Sequence, residues 1–600
     1  MPALRRSSVL CSLLVVGAIV ASRTAAQETS LPERAVVARL IEQLESSGLD
    51  AEALAARRTA WGWPRDPSRL YLFAPASGAG PERIPFASEA ERELRSAAAA
   101  ELFDRAIALA DQERDGDAYR LIFETLAIDP EHPQAAAVLG PTRRAFATDI
   151  DESKVAVQNR PERTYGWSGG EWRRLETDHF SIIGTADAAE IRRVAQQLER
   201  LYAAWDLAFF DVWSPPGRLA RAIRDGKPLA RVGSRKSTVV LFADREQYVA
   251  RLSGIAPVVD QSRGYYAPTR RQSMFFPDDS PRPTSLLHEV THQLFQERSG
   301  GDRTPGDRAN FWLIEGIAAL LESCVDHEDF LTIGGGDAER LQYARFHLFS
   351  GQKIRPFDEL AGLGQQTFQS DPDVRALYSQ GAGICAWLMA DESGERRLAL
   401  MRLLDQVYAG KDRPDELTRA TGLAWDDAVR AYIEFLRPRK AQFDRFPPAA
   451  DSTCLAFPYG DVDDATIEGL PELSRLAWLD LSRAPISDRS APSIARFTAL
   501  EQLFLEGTAT TDRGLAQLAP LQQLRELDLG GTRVTARGLS ELAKFPKLEA
   551  LVLSDLPLDD DILPLLERLP ALRQVELDGT RIAPEKIADL QRRLAARGER

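Results

Sequence analysis

A leucine pattern with a fixed period occupies the last quarter of the chain and limits most strongly what that part can fold into. Five leucines recur at intervals of 24 residues, and apolar residues follow each of them three and five positions later: Leu476, Leu500, Leu524, Leu548 and Leu572. A repeat of this length is one small structural unit that cannot bury its apolar side alone, so neighbouring units must stack. The pattern therefore predicts a solenoid over residues 452–600, with six units of which the first is degenerate.

This pattern resembles the leucine-rich repeats. The resemblance implies a short strand and a helix in each unit, and concave-side strands that expose Trp478, Phe504, Glu526, Asp528, Val552 and Glu576. The family's usual Asn or Cys after the strand is replaced by Thr508, Thr532 and Thr580, and in two units by Ala484 and Leu556. A hydroxyl can partly satisfy the buried backbone groups at this position, whereas Ala and Leu cannot.

The first 26 residues have the features of a secretory signal peptide. Arg5 and Arg6 precede an apolar run from Val9 to Ala21, and small residues up to Ala26 follow it. The apolar run is short for a membrane span, which needs about 20 residues, and no other stretch of the sequence is long enough. We therefore expect a secreted or periplasmic protein without a stable membrane span. A buried N-terminal helix is the alternative interpretation.

Charge and cysteine content exclude two further classes of protein. Acidic residues outnumber basic ones by 89 to 75, for a formal net charge of −14. Nucleic-acid binding is not expected, because phosphate contacts need a basic surface. Only Cys324, Cys385 and Cys454 follow the predicted leader. This odd, small number argues against a disulfide framework.

Two further units are predicted between the leader and the repeats. Residues 27–165 have mostly helical periodicity, and the segment Asp117–Gly140 resembles one tetratricopeptide helix pair. An irregular helical domain is the other interpretation of this segment. Residues 172–440 begin with stretches rich in β-branched and aromatic residues and continue as helices, which predicts an α+β domain. The fold class is therefore multidomain α+β, with a helical N-terminal domain and a C-terminal α/β solenoid.

The sequence His288-Glu289-Val290-Thr291-His292 is an H-E-x-x-H motif. Chance explains it poorly in a chain with six histidines among 600 residues. Apolar residues on both sides predict a helix, in which residues four apart share a face, so both imidazoles can reach one ion. Neutral imidazoles suit Zn²⁺, and Glu289 is placed to accept a proton from the attacking water. Two histidines that cap a polar core are the alternative.

A catalytic zinc site needs a third protein ligand, and histidine is nearly excluded. Only His327 and His347 follow the motif. The stretch from Trp312 to Glu322 has helical periodicity and follows a loop rich in Gly, Asp and Pro. Two antiparallel helices joined by that loop can bring Glu315 to the metal.

The H-E-x-x-H motif followed by W-x-x-E-G-x-A-x-x-x-E resembles the gluzincin metallopeptidases, in particular the bacterial peptidase MA-like domains. The similarity covers about 172–440 and implies a zincin-like α+β domain. It implies that His288, His292 and Glu315 hold Zn²⁺ and that Glu289 is the general base. It also implies that Tyr378, in a Y-x-x-G sequence, donates a hydrogen bond to the oxyanion of the tetrahedral intermediate. Packing is the other interpretation of this tyrosine.

Two supporting elements have open interpretations. Glu322 either orients a metal ligand or is a solvated helix residue. The stretch Arg263–Phe276 either binds an extended substrate by edge pairing or is an ordinary sheet strand.

We therefore expect a secreted zinc metallopeptidase that hydrolyses a peptide or protein substrate, with repeats that bind a protein partner or the substrate. The alternative is a non-catalytic binding or scaffold protein that uses its repeats and keeps a relic or structural zinc fold.

Overall fold

The structure is a computed structural model of the chain. It describes residues 32–74, 85–140, 150–229, 235–254, 259–260, 262–277, 283–299, 304–351, 353–391 and 393–597. The predicted signal peptide, residues 1–26, lies outside the described residues. Over the described ranges, no helix is both long enough and apolar enough to cross a membrane.

The N-terminal segment is largely helical but also contributes a strand. Its elements are α1 (Pro32–Ser46), α2 (Ala51–Ala60), β1 (Arg69–Leu72), α3 (Glu89–Asp111), α4 (Asp115–Ile128) and α5 (Pro133–Leu139). The segment that resembles a tetratricopeptide pair corresponds to α4 and α5. Strand β1 lies in a three-stranded sheet with strands from residues 325–334, so this segment is not purely helical. One hydrophobic cluster runs from Val36 to Leu436, so the core does not divide near residue 165.

A mixed six-stranded sheet supports the candidate site. Its strands and the helices between them are β2 (Ala156–Gln158), β3 (Trp172–Glu176), β4 (Phe180–Gly184), α6 (Ala188–Ala208), α7 (Phe210–Trp213), α8 (Arg218–Asp225), β5 (Ser237–Leu241), α9 (Arg245–Leu252), β6 (Gly264–Ala267) and β7 (Gln272–Phe275). The strand order is β2-β3-β4-β5-β7-β6. Strands β4, β5 and β7 are parallel, and β6 runs antiparallel to β7 at the end of the sheet.

Helices dominate after the sheet, as the sequence predicts. They and the two remaining strands are α10 (Thr284–Ser299), α11 (Phe311–Leu321), β8 (Val325–Asp326), β9 (Leu331–Gly334), α12 (Glu339–Phe349), α13 (Phe357–Gly362), α14 (Gln365–Gln369), α15 (Val374–Met389), α16 (Glu395–Tyr408), α17 (Glu416–Thr421), α18 (Trp425–Leu436) and α19 (Lys440–Arg445). Strand β9 joins β1 to β8 in the three-stranded sheet.

The repeats form a parallel six-stranded sheet in sequence order. Its strands and helices are β10 (Cys454–Ala456), α20 (Asp464–Glu468), β11 (Trp478–Asp480), α21 (Ala491–Ile494), β12 (Gln502–Phe504), α22 (Asp512–Gln517), β13 (Glu526–Asp528), β14 (Ala550–Val552), α23 (Leu563–Arg568), β15 (Gln574–Glu576) and α24 (Pro584–Ala595). Residues 24 apart pair across each junction, as with Trp478 and Gln502. The fourth of the six units, which begins at Leu524, differs from the expected pattern, because residues Gly538–Lys544 form a 3-10 helix.

The concave side of this sheet is only partly exposed, which corrects one prediction. Trp478 and Phe504 are buried, because α12 lies across the first strands of the sheet. The Phe346 ring is 5.1 Å from Trp478 and 5.2 Å from Phe504, measured between ring centroids. Sequence periodicity placed these aromatic residues correctly on the concave side but carries no information about a distant helix that covers it. Glu576, at the other end of the sheet, is exposed.

The cysteines agree with the expectation of no disulfide framework. Cys324, Cys385 and Cys454 are free thiols, and the last two are buried. Burial raises the pKa of the Cys324 thiol to about 12, which keeps it protonated and unreactive at neutral pH.

Candidate metal centre

The H-E-x-x-H sequence lies on α10, which packs against the mixed sheet. Val290 and Leu294 are buried on the packing side of the helix. Gln293, on the same helix, is fully buried and receives a hydrogen bond from Ser273 Oγ to its Oε1 at 2.7 Å. These contacts fix the rotation of the helix, so His288 and His292 point away from the sheet toward α11.

Helix α11 is buried along its whole length and approaches α15 very closely. A Cβ added at Gly316 would lie 2.6 Å from the backbone of Gly381 on α15, and one added at Gly381 would lie 2.7 Å from the Trp312 carbonyl oxygen. Real Cβ atoms do not come this close, so both positions need glycine. This close packing places the helix that carries Glu315 next to the helix that carries Tyr378.

The side chains of His288, His292 and Glu315 converge, and one potential ligand atom from each lies within 4.8 Å of the others. Glu315 Oε2 is 3.2 Å from His288 Nε2 and 3.5 Å from His292 Nε2. Ligands about 2.0–2.2 Å from a tetrahedral zinc ion lie roughly 3.3–3.5 Å apart. The three residues therefore fit a zinc ion in both donor type and spacing.

The electrostatics of this cluster favour positive charge. Burial lowers the pKa of His288, but hydrogen bonds with Glu315 and Glu322 outweigh burial and raise the pKa to about 10. Burial raises the pKa of Glu315, but His292 and His288 outweigh burial and hold it well below its usual range. Two buried carboxylates thus stabilise a cation at the imidazoles, whether that cation is a proton or a metal ion.

Glu322 contacts His288 from the side opposite Glu315. The Nδ1–H of His288 donates to Glu322 Oε1 at 2.8 Å. This hydrogen bond turns the ring so that Nε2 faces Glu315, and outer carboxylates of this kind orient metal-binding imidazoles. Arg340 donates to both oxygens of Glu322, from Nε at 2.8 Å and from Nη2 at 3.1 Å. Of the two interpretations of Glu322, the structure supports the orienting one.

The carboxylate of Glu289 is held by the outer strand of the mixed sheet. The backbone N–H of Tyr266, on β6, donates to Glu289 Oε2 at 2.8 Å. Because β6 pairs with β7 on its other edge, the N–H groups that point away from β7 face α10. The general-base candidate therefore lies between the two histidines in sequence and, in space, beside the edge of β6 that pairs with no other strand of the described residues.

Tyr378 lies beside the same cluster. Its ring centroid is 6.3 Å from that of His288. Burial raises the pKa of the Tyr378 hydroxyl, and the charge of Glu315 and a hydrogen bond to it raise it further. The phenol is therefore protonated at neutral pH and can donate a hydrogen bond. Sequence reasoning placed this residue near the site through the Y-x-x-G resemblance alone.

Two contributors were not predicted. Arg340 lies far from the H-E-x-x-H motif along the sequence, and no motif marks it. Helix α12 comes close to the site only in the folded chain. The N–H of Tyr266 is a backbone group, and its only signal was the strand pattern of Arg263–Phe276. Side-chain motifs cannot reveal either kind of contributor.

Comparisons with known proteins give little beyond this geometry. No protein-family model matches the chain, and no curated protein matches it. A solved structure of an internalin from Listeria monocytogenes str. 4b F2365 is similar to 24% of this chain and 47% of that chain, at 20% identity and a TM-score of 0.19. The chain thus spans about half the length of the internalin, and a likeness this weak carries no argument about function.

Proposed function

We propose that this protein is a zinc-dependent metallopeptidase that hydrolyses peptide bonds. The observation that carries the proposal is the convergence of His288, His292 and Glu315 at spacings that suit one zinc ion. A purely structural zinc site needs no general base, whereas Glu289 is intact within this motif.

Each side chain has a definite part in this proposal. His288, His292 and Glu315 would hold zinc, which when bound supplies a Lewis acid and lowers the pKa of the attacking water. Glu289 accepts the proton of that water and transfers it to the leaving amine. The N–H of Tyr266 holds the Glu289 carboxylate in place. The Tyr378 hydroxyl donates to the oxyanion that develops during attack.

The position of β6 supports a peptide as the substrate class. Among the described residues this strand ends the sheet, so one of its edges pairs with no other strand of that part of the chain. An extended peptide can add to such an edge through backbone hydrogen bonds. Because Glu289 lies at the same edge, a peptide bound there would have a backbone carbonyl near the metal ligands.

Zinc content and peptide cleavage test this proposal together. We expect the purified chain to hold stoichiometric zinc and to cleave members of a mixed peptide library. Glu289→Gln is expected to keep zinc and to lose activity by about 10²–10⁴-fold, because the amide cannot accept the proton. Glu297→Gln, on the same helix but outside the cluster, serves as the control. Equal activity of wild type and Glu289→Gln would contradict the proposal.

A binding function of the repeats is the second candidate. What favours it is the uncovered end of the concave sheet, where Glu526, Val552 and Glu576 are not covered by α12. We infer that a protein partner would use this end of the sheet, not the aromatic end. Stoichiometric zinc without any peptide cleavage would favour a non-catalytic scaffold over the peptidase.

We also propose that the protein acts outside the cytoplasm, as a secreted or periplasmic protein. This rests on the predicted signal peptide in residues 1–26. A mature N-terminus following Ala26, measured by mass spectrometry of the exported protein, is the expected result.

A further inference from the structure

Helix α12 is packed on two opposite sides. Leu341 and Leu348 on one side belong to the main hydrophobic core. On the other side, Tyr343 and Phe346 pack against the aromatic residues of the first repeat strands. The helix is therefore packed between the main hydrophobic core and the concave side of the repeat sheet.

Polar contacts fix the position of this helix along the sheet. Gln342 Oε1 accepts the backbone N–H of Ala456 on β10 at 2.7 Å. Just after the helix, Ser350 Oγ donates to Asp480 Oδ2 on β11 at 2.8 Å. Both acceptors are fully buried, so sliding the helix would leave a buried polar group without its partner. The repeats thus determine where α12 lies, as well as covering it.

The same helix carries Arg340, which binds the carboxylate that orients His288. Arg340 lies at the start of α12, one turn before Tyr343. Its two-point contact with Glu322 requires a fixed guanidinium, because a bidentate pair depends on the angle between the two planar groups. Arg340 remains partly exposed, at 35% of its side-chain surface, so burial alone does not hold it. The placement of the helix has to do so.

We infer that Arg340 is a positioning residue of the metal centre and that the repeat sheet holds it in place through α12. The chain of contacts runs from Phe504 and Trp478 through Phe346 to α12, and from Arg340 through Glu322 to His288. The repeats are then part of the support of the metal centre as well as a binding module. This inference rests on the proposed zinc site.

Zinc affinity of the full-length chain, measured by competition with a chromophoric chelator, tests this inference without using activity. We expect Arg340→Leu to weaken zinc binding about 10-fold, at the lower end of the range for lost outer partners of metal ligands. Arg340→Lys should recover part of that loss, because it keeps the charge but not the two-point contact. Phe504→Ala should weaken zinc binding about threefold. The effect is smaller because Phe504 acts on the zinc site only indirectly, through Phe346 and then Arg340.

The controls separate positioning from general damage. Val552 lies in the same row of the sheet as Phe504, two strands further along and beyond α12. The variant Val552→Ala should therefore bind zinc with the affinity of the wild type. Circular dichroism and thermal unfolding confirm that each variant is folded. The double variant Arg340→Leu/Phe504→Ala should lose no more affinity than Arg340→Leu alone, because both changes interrupt one chain of contacts.

Three results would overturn the inference. They are wild-type zinc affinity in folded Arg340→Leu, equal affinity of Phe504→Ala and Val552→Ala, and additive losses in the double variant. Absence of zinc binding by the wild-type chain would be a different result, because it would overturn the proposed function itself.

Discussion

Two groups of carboxylates in this molecule have opposite surroundings. At the candidate metal centre, Glu315 and Glu322 face imidazole and guanidinium groups, which lower the pKa of both carboxyls despite burial. On the repeat sheet, Asp480 is buried and Asp528 is half-buried. There, burial raises the pKa of the first to about 6 and of the second to about 7. The charges that act most strongly on Asp528 are other carboxylates, such as Glu506.

This difference separates a cation site from a merely acidic surface. At the candidate metal centre the carboxylates come together with the imidazoles of His288 and His292 at zinc spacing, so they stabilise a cation there. On the sheet the carboxylates are satisfied by hydrogen bonds, such as that from the Gly530 N–H to Asp528 Oδ1 at 2.8 Å. Such a carboxylate gains a proton more readily than it binds a metal ion.

The largest expected effect comes from removing a carboxylate in each region. Glu315→Ala should weaken zinc binding on the order of 10³-fold, because a structural zinc ion contributes roughly 10–16 kcal/mol through about four ligands. Asp528→Ala removes a carboxylate from the repeat sheet, away from the histidines, and should change zinc affinity less than about twofold. Zinc analysis of the two variants beside wild type makes the comparison. Undiminished zinc in Glu315→Ala would move the third ligand elsewhere.

The next largest effect is expected on stability, from glycine substitutions that test how closely the backbone packs in the two regions. Gly381→Ala would place its Cβ 2.7 Å from the Trp312 carbonyl oxygen, which belongs to backbone and cannot move aside. We expect this variant to lose about 3 kcal/mol of unfolding free energy, at the upper end for overpacking. Gly469→Ala, in the repeats, meets its nearest atom at 3.4 Å and should be nearly neutral. Chemical denaturation measures both, and equal losses would show that the close approach of α11 and α15 is not specific.

The two regions also differ in how much of each could be predicted from the sequence. The repeat strands follow a period of 24 residues, so the pairing of residues 24 apart on neighbouring strands could be predicted from the sequence. The three candidate metal ligands could be predicted because His288 and His292 are four residues apart on one helix and few other histidines were available. The sequence did not predict that α12 covers Trp478 or that Arg340 contacts Glu322. Each of these contacts joins segments that are distant along the chain. Contacts of that kind depend on tertiary packing, which periodicity and motifs do not encode.

The pH dependence of the unfolding free energy also distinguishes the two regions, with an expected effect of intermediate size. The pKa of Asp528 is raised from 3.8 to about 7 by burial, so the folded state binds more protons than the unfolded state between these values. Stability should therefore fall as pH rises from about 4 to about 7. Asp528→Asn removes this dependence and should raise the unfolding free energy by roughly 2 kcal/mol at pH 8, less than the full shift implies because the group is not completely enclosed.

Denaturation of the wild type and Asp528→Asn at pH 5 and pH 8 checks this prediction. The Asn side chain can keep the hydrogen bond from the Gly530 N–H, so the change removes charge and little else. A gain at pH 8 that falls to less than half at pH 5 is the expected result, because pH 5 lies between the two pKa values. A constant difference at both pH values would show that Asp528 is not held close to neutral in the folded protein.

The smallest effect concerns the threonine hydroxyls that follow the repeat strands. Thr532 Oγ1 donates to the Leu529 carbonyl oxygen at 2.7 Å, whereas the corresponding position one unit later is Leu556. Thr532→Val keeps the shape and removes the bond, so we expect a loss of about 1 kcal/mol in chemical denaturation, against no change for the exposed Thr498→Val. The unit with Leu556 folds without a hydroxyl here, so a single bond of this kind contributes little to the solenoid. A loss well above 3 kcal/mol would mean that the hydroxyl does more than satisfy one carbonyl.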